Sequence, residues 1–134
     1  MAQESSAERP ACGRGATAVS APGIWQQLIA PGDLVFDIGA NIGNKAAELL
    51  ECGARVVCVE PQPHCVEKLR GRFSGRPNVF IVPNGVAGKP DTLQLSICRE
   101  KDYISTFAKN WKTGRFVGEH WDETVDVEVA SAPV

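Results

Sequence analysis

The sequence predicts an α/β fold in which three parallel strands alternate with helices and are followed by antiparallel strands. Three short, nearly continuous apolar runs, at residues 34–38, 55–59 and 78–82, support this prediction. Such runs are typical of strands buried on both faces of a parallel sheet. The segments between them have helical periodicity, and right-handed crossovers would place the three strands side by side. The predicted arrangement is therefore Rossmann-like.

Helices are predicted before the first strand and between the strands. The first is a short docking helix at residues 24–30, and residues 44–52 form a longer one that Gly53 should end. A third helix, residues 63–73, should begin with Pro63 in its first turn. Upstream of these helices, residues 1–23 are rich in Ala, Ser, Gly and Pro without periodicity, so we expect a disordered or loosely attached arm.

The pattern changes after the third strand. Residues 92–97 alternate strictly between apolar and polar, and residues 125–129 do so again. The connection over residues 83–91 is too short for a helical crossover, so we expect residues 92–97 to run antiparallel to the preceding strand. Residues 125–129 are a possible pairing partner. The polar and aromatic segment between them has no clear periodicity.

Composition excludes several classes of protein. The formal net charge of the 134 residues is −2, and basic residues are scattered among acids, which predicts no nucleic-acid partner. No apolar run approaches membrane-spanning length, so no membrane partner is expected. The five cysteines include no C-x-x-C pair, which predicts neither a metal site nor a disulfide framework and favours a cytoplasmic location.

The most informative segment is the loop after the first strand, residues 37–43, in which Ala40 and Asn41 lie between two glycines. Its G-x-x-x-G spacing differs from the G-x-G-x-x-G loop that holds a pyrophosphate. The acid Asp37 suits the ammonium group of S-adenosylmethionine, while Gly39 and Gly43 let the backbone approach a ligand closely. The alternative is a plain strand-to-helix turn capped by Asp37.

Two further polar positions follow neighbouring strands. Glu60 ends the second strand, where an acid typically accepts hydrogen bonds from ribose hydroxyls, although it could instead cap the helix beginning near Pro63. Because the first two strands are neighbours, Asp37 and Glu60 should open onto one crevice. After the third strand, Asn84 could contact an adenine ring, or the Asn84-Gly85 pair could form a type I′ or II turn; both remain open.

Four strings together resemble the FkbM family of S-adenosylmethionine-dependent methyltransferases: D-I-G-A-N-I-G at 37–43, V-E-P-Q-P at 59–63, N-G-V-A-G at 84–88 and I-S-T-F at 104–107. The resemblance implies a class I methyltransferase fold and methyl transfer to a small-molecule hydroxyl, often on a sugar or secondary metabolite. No catalytic residue is predicted. The predicted cofactor-binding residues are Asp37, Gly39, Ala40, Asn41, Gly43, Glu60, Pro61 and Asn84.

The sequence departs from that family because it contains no K-x-D-x-E-G string, with which such domains continue. We therefore expect residues 24–134 to be the N-terminal portion of a methyltransferase domain, with an incomplete sheet. Exposed apolar sheet edges would then favour a homo-oligomer. Two alternatives are a fragment of an NAD-type oxidoreductase and a non-catalytic partner module completed by another chain.

Overall fold

A computed structural model describes residues 23–131, so the predicted arm lies outside the described residues except for Gly23. The helices in this range are α1 Ile24–Leu28, α2 Asn44–Glu51, α3 Pro63–Arg72 and α4 Lys109–Thr113. The strands are β1 Leu34–Ile38, β2 Arg55–Val59, β3 Val79–Val82, β4 Gly85–Ala87, β5 Asp91–Ile97 and β6 Glu123–Ser131. A 3₁₀ turn spans Asp102–Ile104. No helix within residues 23–131 is long and apolar enough to cross a membrane.

Strands β1, β2 and β3 form a parallel sheet in that order, with helices between consecutive strands. This confirms the predicted α/β fold, which is compatible with an incomplete Rossmann-like sheet. The boundaries of β1 and β2 are those predicted. Gly53 ends α2 with a φ of 82° and donates its N–H to the Leu50 carbonyl at 2.9 Å, as expected of a residue that follows a helix.

The core lies on one face of this sheet. Leu49 of α2 and Leu69 of α3 pack there against Val56 and Cys58 of β2, and all four side chains are buried. On the opposite face large apolar side chains are exposed, at Phe36, Ile38, Leu34 and Phe80 among others. These strands were expected to be buried on both faces. That expectation is wrong for the residues described, because α1, α2 and α3 all contribute to the core on one face of the sheet.

Strands β4, β6 and β5 form a second sheet in that spatial order. The predicted pairing of the two alternating strands is confirmed, since β5 and β6 are antiparallel. β5 does not pair with β3, to which it was expected to run antiparallel, because it joins this separate sheet. The three-residue strand β4 was not predicted; it pairs in parallel with β6 and is too short to show an alternating pattern.

The Asn84-Gly85 pair does not form a type I′ or II turn, which was one of the two alternatives left open by the sequence. Types I′ and II require a positive φ at Gly85, and neither Asn84 nor Gly85 adopts one. Gly85 instead begins β4 opposite Val129. A Cβ atom at Gly85 would lie 2.7 Å from Cζ of Phe107, so the glycine is required by close packing rather than by a turn.

Candidate functional site

The loop after β1 is held against the end of β2. The N–H groups of Gly39 and Ala40 donate to the Val59 carbonyl at 2.8 and 3.1 Å. Gly39, Asn41 and Gly43 all have positive φ values, of 78°, 51° and 84°. Glycine and asparagine are the residues that tolerate this backbone region best, so the local sequence specifies the sharp path of the loop.

Glu60 connects that loop to the start of α3. Its side chain is buried, with 2% of the residue's surface exposed. One carboxylate oxygen, Oε2, accepts from the backbone N–H of Asn41 at 2.8 Å, and Oε1 accepts from the N–H of Gln62 at 2.9 Å. Gln62 precedes α3, so Glu60 also supports the entry to that helix. Each oxygen retains acceptor capacity for a ligand hydroxyl.

Asp37 presents a buried carboxylate at the carboxyl end of β1. Only 7% of the residue is exposed, and Oδ2 is buried with no hydrogen-bond partner among the described residues. Burial raises the pKa of Asp37, against smaller lowering effects of Lys45 and of the Ala46 backbone. Asp37 lines a cavity of about 310 Å³ together with Ala40, Asn44, Lys45 and Glu48, among others. An unpaired carboxylate oxygen in such a cleft suits a cationic ligand group.

Because the pKa of Asp37 is raised in the folded protein, the ionised side chain lowers the free energy of unfolding. The folded state binds the Asp37 proton more tightly than the unfolded state, so this group's contribution to stability is lost as pH rises through the folded-state pKa. Asp37→Asn, which is neutral and of similar shape, is therefore expected to raise the free energy of unfolding at pH 7. The gain should disappear in acid, where wild-type Asp37 is protonated.

Urea unfolding across pH measures both effects, with Asp126→Asn on an exposed position of β6 as the matched control. An Asp37→Asn protein that is less stable than wild type at pH 7 would contradict this account of Asp37.

Gly39 lies where three cavities meet. Besides the one lined by Asp37, a cleft of about 360 Å³ is lined by Asn41, Glu60 and Pro61, and one of about 200 Å³ by Pro61 and Asn84. The structure thus brings together seven of the eight predicted residues around one edge of the sheet. Their role in binding a cofactor stays a prediction.

Gly43 is the exception, because it lines none of these three cavities. A Cβ atom built there would lie 2.5 Å from Cε2 of Phe73 and 2.8 Å from Cδ2 of Leu69. The glycine therefore allows the start of α2 to pack closely on α3, in addition to supplying the left-handed turn.

Asp102, which also lines the larger cleft, was not predicted as a site residue. Asp102 accepts a hydrogen bond at Oδ1 from Nδ2 of Asn41 at 2.8 Å, and its backbone carbonyl accepts from Nε2 of Gln62 at 3.1 Å. Residues 102–107 show no periodicity, and the I-S-T-F string was the only signal near them. Asp102 lies 61 positions from Asn41, so no local pattern could identify this contact.

Comparison with known proteins gives partial matches to methyltransferases. No model of a known protein family matches the chain. The Probable ribosomal RNA small subunit methyltransferase A of Methanococcoides burtonii is 39% identical over 54 residues, which are 40% of this chain and 20% of that protein. The Ribosomal RNA small subunit methyltransferase of Arabidopsis thaliana is 35% identical over 68 residues, 49% of this chain and 19% of that protein. The chain thus spans about a fifth of the length of these relatives.

These relatives agree with the general methyltransferase prediction over a short region and offer no support for the FkbM family. They overturn the predicted partners, because both are named for ribosomal RNA. The expectation of a small-molecule acceptor without nucleic acid is therefore wrong. It relied on a balanced overall charge, whereas RNA is contacted through local basic groups, stacking surfaces and hydroxyl contacts that a net charge does not reveal.

Proposed function

We propose that this chain is the cofactor-binding part of an S-adenosylmethionine-dependent methyltransferase. The main supporting observation is the hydrogen bond from the Asn41 N–H to Glu60, which joins the loop after β1 to the end of β2 beside the adjoining cavities. Ligands of open α/β sheets bind in the crevice at the carboxyl ends of the strands. The partial similarity to two methyltransferases is an independent argument for the same function.

Each part of the cofactor has a candidate partner in this proposal. The unpaired Oδ2 of Asp37 accepts from the methionine ammonium group. Asn44 and Lys45, in the first turn of α2, line the same cavity, and N–H groups at a helix start favour a carboxylate. Glu60 accepts from the ribose hydroxyls, and the cavity beside Asn84 takes the adenine ring. When bound, S-adenosylmethionine supplies an electrophilic methyl group; these residues hold and orient it.

We further propose that the methyl acceptor is an RNA. The two relatives support this class of acceptor by their names, whereas the FkbM resemblance rests on residue strings alone. A cytoplasmic location is retained as part of the proposal, because the described cysteines Cys52, Cys58, Cys65 and Cys98 are all free thiols.

Calorimetry tests the cofactor assignment. Wild-type protein is expected to bind S-adenosylmethionine and S-adenosylhomocysteine, and not NADH. Asp37→Asn should lower the affinity for S-adenosylmethionine by about 10- to 100-fold, since a hydrogen bond to a charged group contributes about 1.5–3 kcal/mol. Asp126→Asn, which removes an exposed carboxylate from β6, should bind as the wild type does. Binding of NADH alone, or equal affinities for all three proteins, would refute the site.

The acceptor is tested separately, by transfer of a tritiated methyl group from S-adenosylmethionine. Label is expected in small-subunit ribosomal RNA and absent from the same RNA incubated with Asp37→Asn at low cofactor concentration. A protein that binds the cofactor but labels no RNA would overturn the RNA proposal and leave the cofactor proposal intact.

A further inference from the structure

Three metal-ligating side chains meet beside the larger cleft. His64 and Cys65 lie in the first turn of α3, and Asp102 begins the 3₁₀ turn that faces it. The Cys65 Sγ atom lies 3.4 Å from Nε2 of His64 and 3.7 Å from Oδ2 of Asp102. The remaining pair, Nε2 of His64 and Oδ2 of Asp102, is 3.9 Å apart. We propose that these three residues form a binding site for a divalent transition metal, best suited to Zn²⁺.

The spacing of the three atoms is close to that of a tetrahedral zinc site. Zinc lies about 2.3 Å from thiolate sulfur, about 2.0–2.1 Å from imidazole nitrogen and about 2.0–2.2 Å from carboxylate oxygen. Tetrahedral angles then separate neighbouring ligand atoms by roughly 3.3–3.6 Å. The observed separations of 3.4, 3.7 and 3.9 Å approach these values, so small side-chain rotations would complete the tripod.

The surroundings of Asp102 also fit a ligand role. Its two carboxylate oxygens face different neighbours: Oδ2 lies near Cys65, while Oδ1 accepts from Nδ2 of Asn41 at 2.8 Å. A second hydrogen bond of this kind orients carboxylates that bind metals. Gln62 adjoins the same residue through its hydrogen bond to the Asp102 carbonyl, and its own Oε1 is buried without a partner in the described part of the chain.

The charges favour a dication. The Cys65 thiol lies 3.7 Å from Oδ2 of Asp102, so a dication between them would be held by a thiolate and a carboxylate. Zn²⁺ would bind the thiolate, and one proton per ion would be released to the buffer. One thiolate and one carboxylate neutralise the dication. Cys65 is fully buried and His64 is half-buried, so the site is reached from solvent on the side of His64.

This site departs from the sequence-based expectation of no metal, which relied on the absence of a C-x-x-C pair. The three residues are adjacent only in the fold, since 37 positions separate Cys65 from Asp102. Metal binding at these three residues does not depend on the proposed methyltransferase function.

Cobalt(II), added alone to the purified full chain, is the probe. We expect one equivalent to produce a thiolate-to-cobalt charge-transfer band and the intense visible bands of a four-coordinate site, with Zn²⁺ displacing it. Cys65→Ser should abolish the charge-transfer band. His64→Gln and Asp102→Asn should each weaken binding by at least about tenfold.

Cys52→Ser, at a half-buried thiol on the far end of α2, is the matched control and should retain the band. Thermal unfolding of each protein provides a second readout. Zinc should raise the midpoint of the wild type and of Cys52→Ser, and should leave the midpoint of His64→Gln unchanged at the same concentration. A band that persists in Cys65→Ser, a band lost in Cys52→Ser, or a wild type without a stoichiometric band would overturn the proposal.

Discussion

Replacing Gly43 by alanine is expected to lower the free energy of unfolding by about 2–5 kcal/mol, a large share of the stability of a small domain. Two effects add. The backbone of Gly43 has a φ of 84°, which costs a residue with a Cβ atom about 1–2 kcal/mol. The new methyl group would also lie 2.5 Å from Cε2 of Phe73, and relieving such overpacking typically costs about 1–3 kcal/mol.

A second glycine separates the two effects. Gly75 has a φ of 73°, and no atom beyond its two chain neighbours lies within 4 Å of the position its Cβ would occupy. Gly75→Ala should therefore show the backbone cost alone, about 1–2 kcal/mol. Urea unfolding gives both values, and adding Phe73→Leu to Gly43→Ala should recover part of the packing cost by double-mutant analysis. Equal losses for the two alanine variants would contradict a packing role for Gly43.

Local sequence patterns predicted the strands and helix ends that are determined by residues close together in the chain. The apolar runs specified β1 and β2, and Gly53 marked the end of α2, because each of these features is determined within a few residues. The convergence of Asp37 and Glu60 was also predictable. It follows from one further rule, that consecutive parallel strands present their carboxyl ends at the same edge.

Contacts between distant segments could not be predicted in this way. Asp102 reaches the loop after β1 through Asn41, and it reaches α3 through Gln62, yet its own segment has no periodicity. The exposure of apolar residues in β1 and β3 could not be predicted either, for a different reason. Phe36 and Phe80 are residues of a type that is usually buried, but each residue is half exposed. Apolarity indicates that a side chain tends to be covered and does not indicate which element covers it.

Replacing Glu60 by glutamine is expected to affect both folding and cofactor binding. The two carboxylate oxygens accept from separate backbone N–H groups, those of Asn41 and Gln62. A glutamine amide offers a carbonyl oxygen to only one of them, so its NH₂ group must face the other N–H in either orientation. One buried donor is then left unsatisfied, which should lower the free energy of unfolding by about 1–3 kcal/mol.

The same substitution tests whether the proposed cofactor depends on the architecture of the loop. The Asn41 N–H bond fixes the loop after β1, and a glutamine that accepts from Gln62 cannot also accept from Asn41. The substitution should therefore lower the affinity for S-adenosylmethionine by about tenfold or more, in addition to the effect of losing the carboxylate charge beside the ribose hydroxyls. Glu123→Gln removes the same group from an exposed ion pair with Arg99 and should change the free energy of unfolding by less than about 1 kcal/mol, with no change in affinity. Unfolding and calorimetry on both variants distinguish the outcomes. A stable Glu60→Gln protein that binds the cofactor as the wild type does would show that Glu60 neither anchors the loop nor contacts the ligand.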